Sequence, residues 1–148
     1  MEKEYKSFQD FINDEVIPRS WNIIKKRIDA SELTLVKQRR KIISEILEFA
    51  DARERHNEEQ TDESFEAAVS ELADICISAC TLIAIQERRF VVACTFKELT
   101  EEEWIRLVVN RKIDTLITAV FVYAGTKGIN FPQAIKRKIR FNALRKDW

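Results

Sequence analysis

The segment Glu71-Leu-Ala-Asp-Ile-Cys-Ile-Ser-Ala-Cys-Thr-Leu-Ile-Ala-Ile-Gln86 decides how this chain folds. From Ile75 to Gln86 it holds no charged residue, so a helix here is buried on most sides. Glu71, Asp74, Ser78 and Thr81 recur at i, i+3, i+7 and i+10, which draws one narrow polar seam along an otherwise apolar rod. Polar groups in that position need polar partners inside the bundle to offset desolvation.

Upstream, Lys41-Ile-Ile-Ser-Glu-Ile-Leu-Glu48 repeats the pattern with Glu45 and Glu48. In each doublet the two carboxylates sit on one helix face, roughly 60° apart around the axis. Two such helices packed together aim Glu45, Glu48, Glu71 and Asp74 at one spot. Four like charges repel there unless cations hold them, and oxygen-only ligands suit hard ions, Mg²⁺ or Mn²⁺. A single Glu-x-x-Glu means little in a charged helix, and Lys41–Glu45 alone reads as an exposed i, i+4 pair. The second doublet carries the weight, because the helix it opens is too apolar to lie on the surface.

At 148 residues, 45% hydrophobic and 34% charged, the sequence reads as one soluble domain spanning 1–148 with a core of its own. Two glycines and two prolines among so many Glu, Lys, Arg, Ile and Leu favour an all-α bundle of four to six helices. The formal net charge of zero speaks against a nucleic-acid polymer as partner. Cys76, Cys80 and Cys94 lie in apolar surroundings without a Cys-x-x-Cys motif and read as reduced core thiols, hence a cytoplasmic location. The charged start Met-Glu-Lys-Glu-Tyr-Lys lacks a signal peptide's apolar stretch, and no uncharged run reaches the ~20 residues of a membrane span.

Along the chain, Phe8, Phe11, Ile12 and Val16 have helical spacing, and Pro18 predicts an end near Val16. A second helix runs through Trp21, Ile24 and Ile28. Asp29 or Ser31 is the expected cap of the third, with Leu33, Val36, Ile42, Ile43, Ile46, Phe49 and Ala50 inward. His56 to Asp62 reads as a polar loop, with Thr61 and Asp62 as candidate caps of the next helix. Arg88 to Val92 fits either a continued helix or a break. Thr100-Glu-Glu-Glu103 forms a capping box that opens a helix through Trp104, Leu107, Val108, Leu116 and Val120. Gly125 and Gly128 close it. Asn130 caps a last helix with Pro132 in its first turn, and Lys138, Asn142 and Arg145 share one face.

Glu45-x-x-Glu48 followed by Glu71-Leu-Ala-Asp74 resembles the ExxE…ExxD signature of the all-α nucleotide pyrophosphohydrolases, which include MazG-like proteins, dCTP pyrophosphatases and dimeric dUTPases. The tail Gly128-Ile-Asn-Phe-Pro-Gln-Ala-Ile-Lys-Arg-Lys138-Ile-Arg-Phe-Asn142-Ala-Leu-Arg145 is similar to that family's closing pattern. The likeness covers about residues 33 to 85 and 116 to 147, through short and tolerant motifs. It implies a helical bundle that forms a homodimer or higher homo-oligomer. It also implies Mg²⁺, with Mn²⁺ as substitute, on Glu45, Glu48, Glu71 and Asp74, the same four being catalytic, and phosphate or sugar contacts from Lys138, Asn142 and Arg145. The implied reaction is hydrolysis of a (d)NTP to the (d)NMP and pyrophosphate, in nucleotide-pool house-cleaning.

That chemistry is reasonable on its own terms. A nucleoside triphosphate carries about four negative charges, which a divalent cation between its oxygens and the carboxylates neutralises. Water activated with the help of a glutamate would attack the α phosphate, while Lys138 and Arg145 steady the departing charge.

The chain departs from the family pattern twice. Ser44 stands where many members have a further glutamate, so the motif alone does not fix the number of metals or the group that activates water. Residues 86–111 form an insertion that would reshape a base pocket or subunit interface. Trp21, Phe49, Trp104, Phe141 and Trp148 can stack on a base or simply fill the core. His56 has a structural or solvent role. A di-iron bundle would need Glu-x-x-His pairs, and none exists. The non-enzymatic alternative is a helical oligomeric interaction module whose carboxylates pair with Lys138, Arg145 or other cations.

Overall fold

Thr61 opens the apolar helix with a reciprocal cap: its Oγ1 accepts from Ser64 N–H, and Ser64 Oγ accepts from Thr61 N–H. In the computed structural model of the chain, which describes residues 2–93 and 97–145, every described element is helical. They are α1 (Glu2–Phe11), a π-helical turn (Ile12–Val16), α2 (Ile17–Arg27), a 3₁₀ turn (Ala30–Glu32), α3 (Leu35–Glu59), α4 (Asp62–Ile85), α5 (Glu101–Val109), α6 (Ile113–Thr126) and α7 (Phe131–Leu144). Helix α4 is the hub and packs against α2, α3, α6 and α7. By length and composition α4 could cross a membrane, but 72% of its apolar window is buried among the other helices.

The first helix does not stop near Val16. Backbone torsions stay helical from Phe11 to Ile17, and the Ile17 N–H bonds Ile12 O across a widened turn. Pro18 has no N–H and its ring would crowd the carbonyl of Asp14; widening the turn relieves both problems without breaking the rod. Counting α1, the π turn and α2 as one rod gives six among the described residues. The widened turn also buries Asn13, whose Nδ2 donates to Phe90 O at 2.8 Å and whose Oδ1 accepts from Phe90 N–H at 2.7 Å.

Those bonds settle the ambiguous stretch after α4. Residues 88–93 are neither helix nor strand, and side chains accept from the backbone N–H groups of Phe90 to Ala93. Val91 N–H donates to Asp114, Val92 N–H to Gln9 and Ala93 N–H to Thr118, while Arg88 forks onto Asp114 at 2.6 and 3.0 Å.

The third helix is capped by Thr34, which accepts from Lys37 N–H, and not by Asp29 or Ser31. Asp29 instead serves the preceding turn by accepting from Ser31 N–H. Starting at Leu35 shifts the buried face: Ile42, Ile46 and Phe49 are buried as expected, but Val36 is exposed and Gln38 is buried in its stead. The expected loop from His56 to Asp62 contracts to Gln60–Thr61, with Gln60 in the left-handed region at φ 52°. Polar side chains at His56 to Glu59 lie mostly on solvated faces and do not end the helix.

The capping box at Thr100 is present, but the helix it opens ends at Val109. The Arg111 N–H bonds Val108 O and the Lys112 N–H bonds Leu107 O, closing the end around Arg111 at φ 61°. Gly128, at φ 69°, closes α6 in the same manner, with Ile129 N–H on Ala124 O. Asn130 and Pro132 open α7 as expected. Cys76 and Cys80 are buried and free, whereas Cys94 and Trp148 lie outside the described residues.

Candidate metal centre

A two-residue turn makes α3 and α4 an antiparallel hairpin, so residues equally distant from Gln60–Thr61 face each other. His56 Nδ1 meets Ser64 Oγ at 2.7 Å near the turn, and Gln38 Nε2 donates to Ser78 O at 2.8 Å far from it. Between these two rungs the same register brings Glu45 and Glu48 opposite Asp74 and Glu71.

Carboxylate oxygens of Glu45, Glu71 and Asp74 lie within 4.8 Å of one another. Each of the three is half-buried. Burial raises the Glu45 carboxyl to about 8, with help from the charges of Asp74, Glu48 and Glu71, and Lys41 opposes the shift. Burial raises Glu71 to about 7, reinforced by Asp74 and Glu48, while Lys138 opposes. Burial also raises Asp74, against the pull of Lys138, Asn142 and Lys41. Two buried oxygens, Glu45 Oε2 and Glu71 Oε2, have no hydrogen-bond partner among the described residues.

Glu48 stands apart from this trio. It is exposed and shares a hydrogen bond with Glu71 that helps to keep a proton there, so it forms the rim of the cluster.

From α7, Lys138 Nζ reaches Asp74 Oδ2 at 3.2 Å and donates to Ser70 Oγ at 2.9 Å. Asn142, one turn on, is 1% exposed, and its amide lies close enough to Asp74 to favour the charged form. Neither amide atom otherwise has a partner among the described residues. Arg145 is the residue at which the helix ends, and its guanidinium lies 5.6 Å from the centre of the Phe141 ring. The end of α7 is held by Arg27, which donates to the carbonyls of Asn142 and Ala143 at 2.8 Å each.

No protein-family model, curated protein or solved structure matches the chain.

Its functional reading therefore rests on the side chains. The donor set consists of oxygens only, with two carboxylate oxygens left unpaired and a buried amide facing the third acid, and this fits a hard divalent cation. His56 is engaged with Ser64 and packs 5.5 Å from Phe65, away from the acids. The polar seam of α4 extends less far than its spacing suggests. Thr81 turns its hydroxyl back onto Ile77 O of its own helix, while Glu71, Asp74 and the Ser78 carbonyl meet polar partners from other helices.

Ser70 was not legible as part of the site, since a lone serine on a helix carries no signal until Lys138 is seen to bond it. A separate cavity of about 510 Å³ also escaped the sequence pattern. Its walls come from α3, α4, the segment before α5 and the end of α6, a combination that no local periodicity encodes.

Proposed function

We propose that this chain is a Mg²⁺-dependent nucleoside triphosphate pyrophosphohydrolase with a MazG-like all-α fold, cleaving a (d)NTP to the (d)NMP and pyrophosphate. The observation that carries the reading is the convergence of Glu45, Glu71 and Asp74 within 4.8 Å, two of them with an unpaired buried oxygen. Half-buried acids with raised affinities for protons are clustered in the way that a divalent cation would compensate.

Glu45, Glu71 and Asp74 would hold the cation, with Glu48 at the rim. When bound, Mg²⁺ supplies charge neutralisation for the triphosphate and acidifies water. Lys138, already 3.2 Å from Asp74, steadies a phosphate oxygen, and Asn142 holds the Asp74 carboxylate charged and oriented. Glu48, in contact with solvent and with Glu71, would take a proton from the attacking water. Attack at the α phosphorus breaks its bond to the bridging oxygen, and that oxygen leaves with pyrophosphate.

The interaction-module reading has one observation in its favour, the Lys138–Asp74 ion pair. Beyond that pair, the buried Oε2 atoms of Glu45 and Glu71 have no hydrogen-bond partner among the described residues, so the enzymatic reading accounts for more of the cluster.

The test is a panel of NTPs and dNTPs assayed for monophosphate and pyrophosphate with Mg²⁺, Mn²⁺ or EDTA. Turnover of at least one nucleotide that EDTA stops, and that Asp74→Asn and Glu71→Gln abolish in folded protein, supports the assignment. Absence of turnover and of any metal-induced rise in melting temperature would leave the interaction module standing.

A further inference from the structure

We propose that the cleft bordered by α3, α4, the segment from Glu98 to Trp104 and the end of α6 is a nucleobase pocket, and that it selects which nucleotide reaches the carboxylate centre. The choice of a nucleobase as ligand rests on the pyrophosphohydrolase reading; the cavity and its chemistry do not.

At about 510 Å³ the space falls within the range of small-ligand pockets and is larger than packing defects in cores. One wall is backed by a locked set of rings: Phe49, Trp104 and Tyr123 lie 5.5 to 5.7 Å apart in pairs, and the buried Phe49 and Trp104 hold the half-buried Tyr123 in place at the cavity. His56 and Phe65 add a second aromatic pair to the lining.

The polar groups match a heterocycle better than an aliphatic guest. Trp104 is 1% exposed, yet its Nε1–H has no acceptor among the described residues, a condition native cores avoid. A ring carbonyl or ring nitrogen supplies that acceptor. Arg53 and Glu101 also line the cavity, paired at 2.8 Å, and so present donors beside an acceptor. The amide edge of a nucleobase, with C=O next to N–H, is the complement of that arrangement.

Position links the pocket to the acids. Val69 borders the cavity, the hollow beside Lys138 and Phe141, and the smaller hollow between them. A ligand with its ring among the aromatics therefore has a path along Val69 for a phosphate tail as far as Lys138, which is itself 3.2 Å from Asp74. Glu98, Thr100, Glu101 and Trp104 all belong to the insertion, which gives that segment the task of reading the base.

The probes are adenosine, guanosine, cytidine, uridine and thymidine, which lack phosphate, added to the full chain in EDTA up to millimolar concentration. Binding is followed by saturation-transfer NMR and tryptophan fluorescence. At least one nucleoside is expected to bind wild type and Glu71→Gln alike, with about tenfold weaker affinity in Trp104→Phe and in Arg53→Met. Arg53 lies at the solvent edge, so its variant keeps the test valid if Trp104→Phe folds poorly. Binding by none of the five, or equal affinity in both variants, overturns the pocket. Nucleoside binding without any triphosphate turnover would sink the pyrophosphohydrolase reading and keep the pocket. Turnover whose base selectivity neither variant changes would do the reverse.

Discussion

Lys138 Nζ stands 3.2 Å from Asp74 Oδ2, a cation from the last helix set against an acid from the central one. It lies where a phosphate oxygen is needed, but it also competes with a metal for the same carboxylate. Lys138→Met should therefore separate two quantities that usually move together. Mg²⁺ affinity should rise on the order of tenfold, because a positive charge leaves the site, while kcat falls. Calorimetric Mg²⁺ titration and steady-state kinetics on the same preparation check this. A parallel loss of both would mean that Lys138 only holds the fold together.

The metal-free protein should become less stable as pH rises from about 5 to 8. In the unfolded chain Glu45 and Glu71 lose their protons near the ordinary carboxyl value of 4.5; in the folded chain they keep them to about 8 and about 7. Through that window the native state binds more protons than the unfolded one, so unfolding free energy falls with pH and levels off above the folded values. Saturating Mg²⁺ should flatten the slope, since the cation holds these acids ionised in the folded chain as they already are in the unfolded one. Melting curves at several pH values, with EDTA and with Mg²⁺, provide the measurement. A flat EDTA profile would show that the acids are not forced together.

How much of this was readable beforehand depends on how far apart the interacting residues lie. The two acidic doublets, the Thr100 box and the Asn130–Pro132 start are local patterns, and the helices they announce are there. The exposure of Glu48 was not readable: it depends on the crossing of α3 over α4, and moving the helix cap from Asp29 to Thr34 does not alter the motif itself. Residues 88–93 looked ambiguous because their partners, Gln9, Asn13, Asp114 and Thr118, come from both ends of the chain. Pro18 misled for a physical reason, since a widened turn is an alternative to a break.

Asn13→Ala should cost about 2–3 kcal/mol, because it leaves a buried N–H and a buried C=O of Phe90 unpaired at once. Asn13→Asp should be nearly as harmful, since a carboxylate still accepts from Phe90 N–H but cannot donate to its carbonyl. Urea unfolding of both variants provides the check. Loss below about 0.5 kcal/mol in Asn13→Ala would mean that the segment pays no penalty for losing its partner.

Arg111 sits at φ 61° and Glu87 at φ 54°, each closing a helix in the region where a Cβ is crowded and glycine is free. At both, the two end bonds of the helix depend on that torsion: Glu87 N–H on Ala84 O and Arg88 N–H on Ile83 O in one case, Arg111 N–H on Val108 O and Lys112 N–H on Leu107 O in the other. Arg111→Gly should stabilise the protein by about 0.5–1 kcal/mol, since relief of backbone strain exceeds the added freedom of the unfolded chain. In a domain of this length that corresponds to a rise of about 1–4 °C in Tm. Glu87→Gly should act in the same direction, and the two should add, because they close different helices. Calorimetry on both single variants and the double decides it, and a fall in Tm for Arg111→Gly would mean that its side chain, not its backbone, holds the end of α5.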